Sequence, residues 1–156
     1  MYVMKAIQIL SMMFLLGFLS ACDKDDSMEP SNAIKMTDLE GSWIATSVVH
    51  TNNANAAQTL DLVALGAELR ITILAGGGAR TWIDFGSFQD EWDSQLSISG
   101  NLVTSTPVES TRPVNVFKTE FIGDAIMLTN VNDSLDFTLS SMPPVSSTSV
   151  SLFIRQ

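Results

Sequence analysis

The chain of 156 residues contains one histidine, His50, and one cysteine, Cys22, and these two counts already confine its chemistry. A Ser-His-Asp triad would have to recruit His50 from the end of a strand, and no Gly-x-Ser-x-Gly elbow accompanies it, so His50 is expected at the surface or a loop edge. A single cysteine forms no disulfide within the chain and no thiolate cluster for zinc or iron. Asp84, Asp90, Glu91 and Asp93 are the densest group of oxygen donors, and a hard cation such as calcium needs several of these. In a strand, however, Glu91 and Asp93 share a face while Asp90 points away, which predicts a solvated face and no metal. Gly76-Gly77-Gly78 lacks the Lys-Ser/Thr of a phosphate-binding loop and reads as a hairpin turn. No catalytic residue and no cofactor is expected. Trp82 and Trp92 are the remaining candidates: each neighbours charged residues, and strand aromatics either face solvent as ligand or glycan contacts or pack inward as core.

These residues sit on strands. From Leu39 onward apolar side chains recur at period two, which predicts an all-β domain. In the first strand Trp43, Ala45, Ser47 and Val49 lie on one face, with Ile44, Thr46, Val48 and His50 on the other. Thr51 to Thr59, rich in Asn and Ala, is expected to be a mobile loop, and Leu60 to Leu65 fits a short helix or a strand equally. Leu69, Ile71 and Ile73 precede the triple glycine, and Thr81, Ile83 and Phe85 follow it. Trp92, Ser94, Leu96 and Ile98 alternate up to a turn at Ser99-Gly100-Asn101, and Leu102 to Thr106 returns. Phe117, Thr119 and Phe121 run to Gly123-Asp124, Ala125 to Val131 to a turn at Asn132-Asp133, and Leu135, Phe137 and Leu139 follow. Val150, Leu152 and Ile154 form the last run. Eight or nine strands joined by tight turns predict an up-and-down antiparallel β-barrel of eight or so strands, with a β-sandwich as the alternative.

The amino terminus carries a different pattern. Lys5 supplies a positive charge, Ala6 to Leu19 is apolar apart from Gln8 and Ser11, and Leu19-Ser20-Ala21-Cys22 closes the segment. The run is too short to span a bilayer comfortably. These four residues resemble the lipobox of bacterial lipoproteins. That resemblance implies a signal peptide over 1–21 and a lipidated Cys22 as the first mature residue, held in the membrane by acyl chains such as palmitate at about 0.8 kcal/mol per buried methylene. Asp23-Lys24-Asp25-Asp26 opens an acidic, flexible tether over 22–38. This acidic start resembles the surface-export signal of some Gram-negative lipoproteins, which implies the outer membrane or cell surface; a periplasm-facing anchor is the alternative.

Behind the tether, roughly 115 to 120 residues suffice for one core and one domain, 39–156. A net charge of −9 and a pI near 4.3 repel phosphate backbones and exclude nucleic acid as a partner.

Leu39-Glu40-Gly41-Ser42-Trp43 resembles the Gly-x-Trp opening of the lipocalins and of lipocalin-like bacterial lipoproteins. The strand, glycine turn and strand at Leu69 to Phe85, the Trp92 to Leu102 pattern and the final Phe153-Ile154-Arg155 fit the same plan. The resemblance implies that Trp43 packs under the closed end of the barrel and that Arg155 lies across it as a structural pair. Departures are a shorter chain and the missing disulfide, so ligand binding does not follow from the fold alone. The expectation is a lipid-anchored, noncatalytic cell-envelope lipoprotein with a lipocalin-like domain that binds a small apolar ligand. The alternative is an accessory or structural module that binds another envelope protein or a glycan.

Overall fold

The computed structural model describes residues 33–135 and 143–156. Cys22, the signal segment 1–21 and most of the tether expected over 22–38 lie outside the described residues, as do Phe137 and Leu139. A four-residue helix α1 (Met36–Leu39) precedes nine strands: β1 (Gly41–Asn52), β2 (Asn55–Asp61), β3 (Glu68–Ile73), β4 (Gly78–Phe85), β5 (Phe88–Ser99), β6 (Leu102–Pro107), β7 (Asn115–Ile122), β8 (Ala125–Leu135) and β9 (Val145–Arg155).

From β3 to β9 each strand pairs antiparallel with the next, and β9 and β3 both pair with β1, so eight strands close on themselves. The extra strand β2 lies along the second half of β1. This is an all-β, lipocalin-like up-and-down barrel, and its closure sets the sandwich aside. Period-two alternation with an apolar inner face drives it, and closure removes the exposed edges an open sheet would leave.

Thr51 to Thr59 is not a loop but the hairpin of β1 and β2. Asn52 tightens it, with Oδ1 accepting from the Ala54 amide at 2.9 Å and Nδ2 donating to Gln58 Oε1 at 2.8 Å. The undecided Leu60 to Leu65 divides: Leu60 and Asp61 end β2, and a turn follows from Leu62. Asp61 organises that turn by accepting from the amides of Val48, Val63 and Ala64 at 3.1, 3.0 and 3.4 Å. Burial pushes its carboxyl up, but these hydrogen bonds and one from Ser47 outweigh burial and hold it below its ordinary range.

Strict alternation fails at two bulges. In β1 the register shifts between Ala45 and Ser47, so Trp43, Ala45, Val48 and His50 are all buried. His50 is only 6% exposed, not a surface residue, because one extra residue swaps the face of everything after it. In β8 the turn expected at Asn132-Asp133 is instead a bulge between Asn130 and Asp133, where Asn130 Oδ1 accepts from the Asn132 amide at 3.0 Å.

Residues 34–38, counted with the tether in the sequence reading, pack on the barrel. Ile34 and Leu39 are buried, and the Ile34 amide donates to the Gly100 carbonyl at 3.2 Å. Burying these two apolar side chains against the barrel floor ties down a segment that its polar neighbours alone would leave extended.

Candidate ligand-binding site

A cavity of about 360 Å³ occupies the barrel interior. Its floor is Trp43 with Leu39, Leu96, Val103, Ile126 and Phe153, all buried. Leu69, Ile71, Ile83 and Trp92, from β3, β4 and β5, make one apolar wall. The lining from β1, β7, β8 and β9 carries polar groups: His50, Asn115, Asn130, Asp133, Ser149 and Ser151.

That polar side follows from register. Trp43 stands opposite Arg155 and Ala45 opposite Phe153, so β9 turns Phe153 inward. Ser151, Ser149 and Ser147 must then follow it inward by period two, while Val150, Leu152 and Ile154 face out. Apolar content alone suggests the reverse face. The signal that could have located this wall is the serine at every second position from 147 to 151.

Buried polar groups need partners, and His50, Asn115, Asn130 and Asp133 have them. His50 Nδ1 lies 3.3 Å from Ser147 Oγ and 3.8 Å from Asp133 Oδ2. Asn130 Nδ2 donates to Asn115 Oδ1 at 3.2 Å. Burial pushes the His50 imidazole below its ordinary pKa, and the nearby Asp133 charge only partly offsets this. The β1 and β8 bulges together bring His50 and Asp133 into one chamber.

At the mouth, the segment between β6 and β7 carries Arg112 across the cavity-lining Trp92. The guanidinium stands 4.8 Å from the ring centroid and donates twice to Asp90, at 2.9 and 2.8 Å, and once to Glu109 at 3.1 Å. The Arg112 hydrogen bonds hold the Asp90 carboxyl below its usual range and raise the guanidinium pKa. The spacing of the sequence does not mark the bidentate pair, since Asp90 is 22 positions from Arg112.

The two tryptophans of the sequence reading separate. Trp92 lines the cavity, whereas Trp82 lies on the outer face opposite Arg70, whose guanidinium is 5.3 Å from its centroid. The acidic cluster separates too: Asp90 joins Arg112, while Glu91 and Asp93 face solvent and hold Arg80 at 3.2 and 2.9 Å. Gly76 and Gly77 form the β3–β4 turn at positive φ. Trp43 and Arg155 meet beneath the floor with the guanidinium 4.5 Å from the ring centroid. An open groove outside the floor, between α1 and the β7–β8 turn, is lined partly by this pair.

A closed antiparallel barrel with one plugged end and an internal chamber of mixed polarity defines a lipocalin-like domain. Comparison of the chain with protein-family models, curated proteins and solved structures returns no match.

Proposed function

We propose that the protein is a lipid-anchored, noncatalytic binding protein of the bacterial cell envelope that holds a small, largely apolar ligand inside its barrel. The observation that carries this reading is the cavity of about 360 Å³, which falls in the size range of small-molecule sites, ~300–1,000 Å³. Its apolar wall supplies area to bury, and its few polar groups supply orientation. Leu19-Ser20-Ala21-Cys22 supports the anchor, and Asp23-Lys24-Asp25-Asp26 supports display at the outer membrane or cell surface.

Two measurements test it. Replacing Ile71 with Trp fills the chamber from its apolar wall and is expected to abolish uptake of an environment-sensitive apolar dye that the parent protein takes up. Equal uptake by both places the dye elsewhere and removes the ligand reading. Replacing Cys22 with Ala is expected to abolish incorporation of radioactive palmitate and to release the protein from membranes; persistent labelling would refute the anchor.

The second reading, a module that binds an envelope protein or glycan, draws on Phe88, Val108 and Val114. These side chains, exposed at 54%, 75% and 55%, lie in or beside the β4–β5 and β6–β7 connections. Crosslinking on intact cells with stoichiometric recovery of a partner would favour it.

A further inference from the structure

The cavity bears charge of one sign. Asp133 lines it with a side chain 31% exposed, and its carboxylate has His50 Nδ1 beside it at 3.8 Å. Burial keeps that imidazole below its ordinary pKa, so near pH 7 His50 is neutral and leaves the Asp133 charge uncompensated. The chain has eight Lys and Arg residues, and the described ones are placed away from Asp133. Arg70, Arg80 and Lys118 pair with Glu68, with Glu91 and Asp93, and with Glu120 on the outer surface. Arg155 spans the floor, and Lys35 is the residue before α1. Arg112 reaches the mouth but is shared by two acids, Asp90 and Glu109.

The neighbouring wall can hydrogen-bond a polar head of either kind: Ser149 and Ser151 carry hydroxyls that donate or accept, and Asn115 Oδ1 already accepts from Asn130 at 3.2 Å, so the sign of the head is set by Asp133. A carboxylate head placed there would meet a like charge in a partly desolvated chamber, whereas an ammonium would meet an opposite one. Across the chamber, Trp92, which already carries the Arg112 guanidinium at 4.8 Å from its centroid, lines the cavity and offers apolar area to the body of a ligand.

We infer that the cavity takes a small organic cation: a protonated amine whose ammonium sits beside Asp133 and whose apolar body lies against Ile71, Ile83 and Trp92. At ~30 Å³ per water-sized group, about 360 Å³ accommodates on the order of a dozen heavy atoms. This assignment rests on the ligand-binding reading above and narrows it to one charge class.

The test holds the body constant and changes the head. The full chain, reconstituted in phosphatidylcholine vesicles, is titrated calorimetrically at pH 7 with 2-phenylethylamine, 2-phenylethanol and 3-phenylpropanoate, against protein-free vesicles. The amine is expected to bind about tenfold or more tighter than the alcohol, with the carboxylate weakest. In Asp133→Asn the amide oxygen still accepts from the Ser134 amide, a bond of 2.8 Å in the parent, so the bulge keeps its support. That variant should lose the preference for the amine and keep the affinity for the alcohol, the latter reporting an intact barrel. A carboxylate that binds as tightly as the amine, or an amine preference unchanged in Asp133→Asn, overturns the assignment. Alcohol binding with no amine preference overturns the assignment but leaves the ligand-binding reading standing. Binding of none of the three overturns both.

Discussion

Arg155 lies over the Trp43 indole, 4.5 Å from the ring centroid, and the same guanidinium donates to the carbonyls of Glu40 and Asp38 at 2.7 and 3.0 Å. The last carbonyls of a helix lack partners within it, and a cation at that end both satisfies them and complements the dipole. Trp43 completes the junction by donating from Nε1 to the Leu39 carbonyl at 2.7 Å. One planar cation thus ties the final strand, the first strand and α1 into a single floor.

This junction predicts a graded series in denaturant unfolding. Trp43→Ala, at a side chain 1% exposed, is expected to cost about 3–5 kcal/mol. Arg155→Ala loses a cation–π contact and two hydrogen bonds and should cost about 1–3 kcal/mol. Arg155→Lys keeps the charge but not the fork that reaches two carbonyls, so it should fall between Arg155→Ala and the parent. Equal stability of all three variants would remove the floor as a unit.

Gly76 and Gly77 have nearly the same backbone, φ 83° and 85°, yet different surroundings. A Cβ on Gly76 meets nothing within 4 Å, whereas one on Gly77 would stand 2.8 Å from Met36 Cε and 2.9 Å from the Leu96 carbonyl oxygen. Gly76→Ala should therefore cost only the left-handed conformation, about 1–2 kcal/mol. Gly77→Ala should cost about 2–5 kcal/mol because it also displaces α1 or β5. Thermal melts of the two variants separate these terms.

Acid should weaken the fold through His50. Burial holds its folded pKa below the ordinary 6.5, opposed by Asp133, so the unfolded chain takes up a proton first as pH falls. The His50 contribution is present above pH 6.5 and is lost as pH drops from there toward the folded value. Stability measured across that range should decline in the parent and flatten in His50→Gln, which keeps a polar group near Ser147 but does not titrate. A slope unchanged in the variant would assign the effect to another group.

Arg112 predicts a second acid-side effect, at lower pH. Its hydrogen bonds depress the Asp90 carboxyl, so that contribution is present above the ordinary 3.8 and is lost as pH falls through the folded value. In Arg112→Gln the Asp90 titration, followed by carboxyl NMR, should move back up, and the emission of Trp92 should change as the cation leaves its face. A ligand held in the chamber should also dissociate faster, since the segment over Trp92 loses its hold on β5.

Much of the architecture was legible along the chain. The triple glycine, Ser99-Gly100-Asn101 and Gly123-Asp124 mark turns because few other residues fit them, and the alternation in β3, β4 and β5 reads directly as strands. The Trp43 and Arg155 pair is implied by the resemblance of the Gly41-Ser42-Trp43 opening and the Phe153-Ile154-Arg155 ending to the lipocalin pattern, and the pairing of β9 with β1 brings the two residues together. The chamber was much less legible. Of its polar residues, the sequence pattern points His50 to the surface or a loop edge and Asp133 to a turn, because an inserted residue at a bulge carries no compositional mark.

The sequence by itself determined the periodic pattern, the positions of most turns and the acidic surface, all of which depend on residues within a few positions of one another. Its amino-terminal pattern, Leu19 to Cys22, likewise speaks only for itself and predicts an anchor. Tertiary structure decided which face of each strand looks inward. Period two makes every register choice all-or-none, and the choice rests on partners far apart in the chain, such as Trp43 opposite Arg155 and the two bulges that turn His50 and Asp133 toward each other.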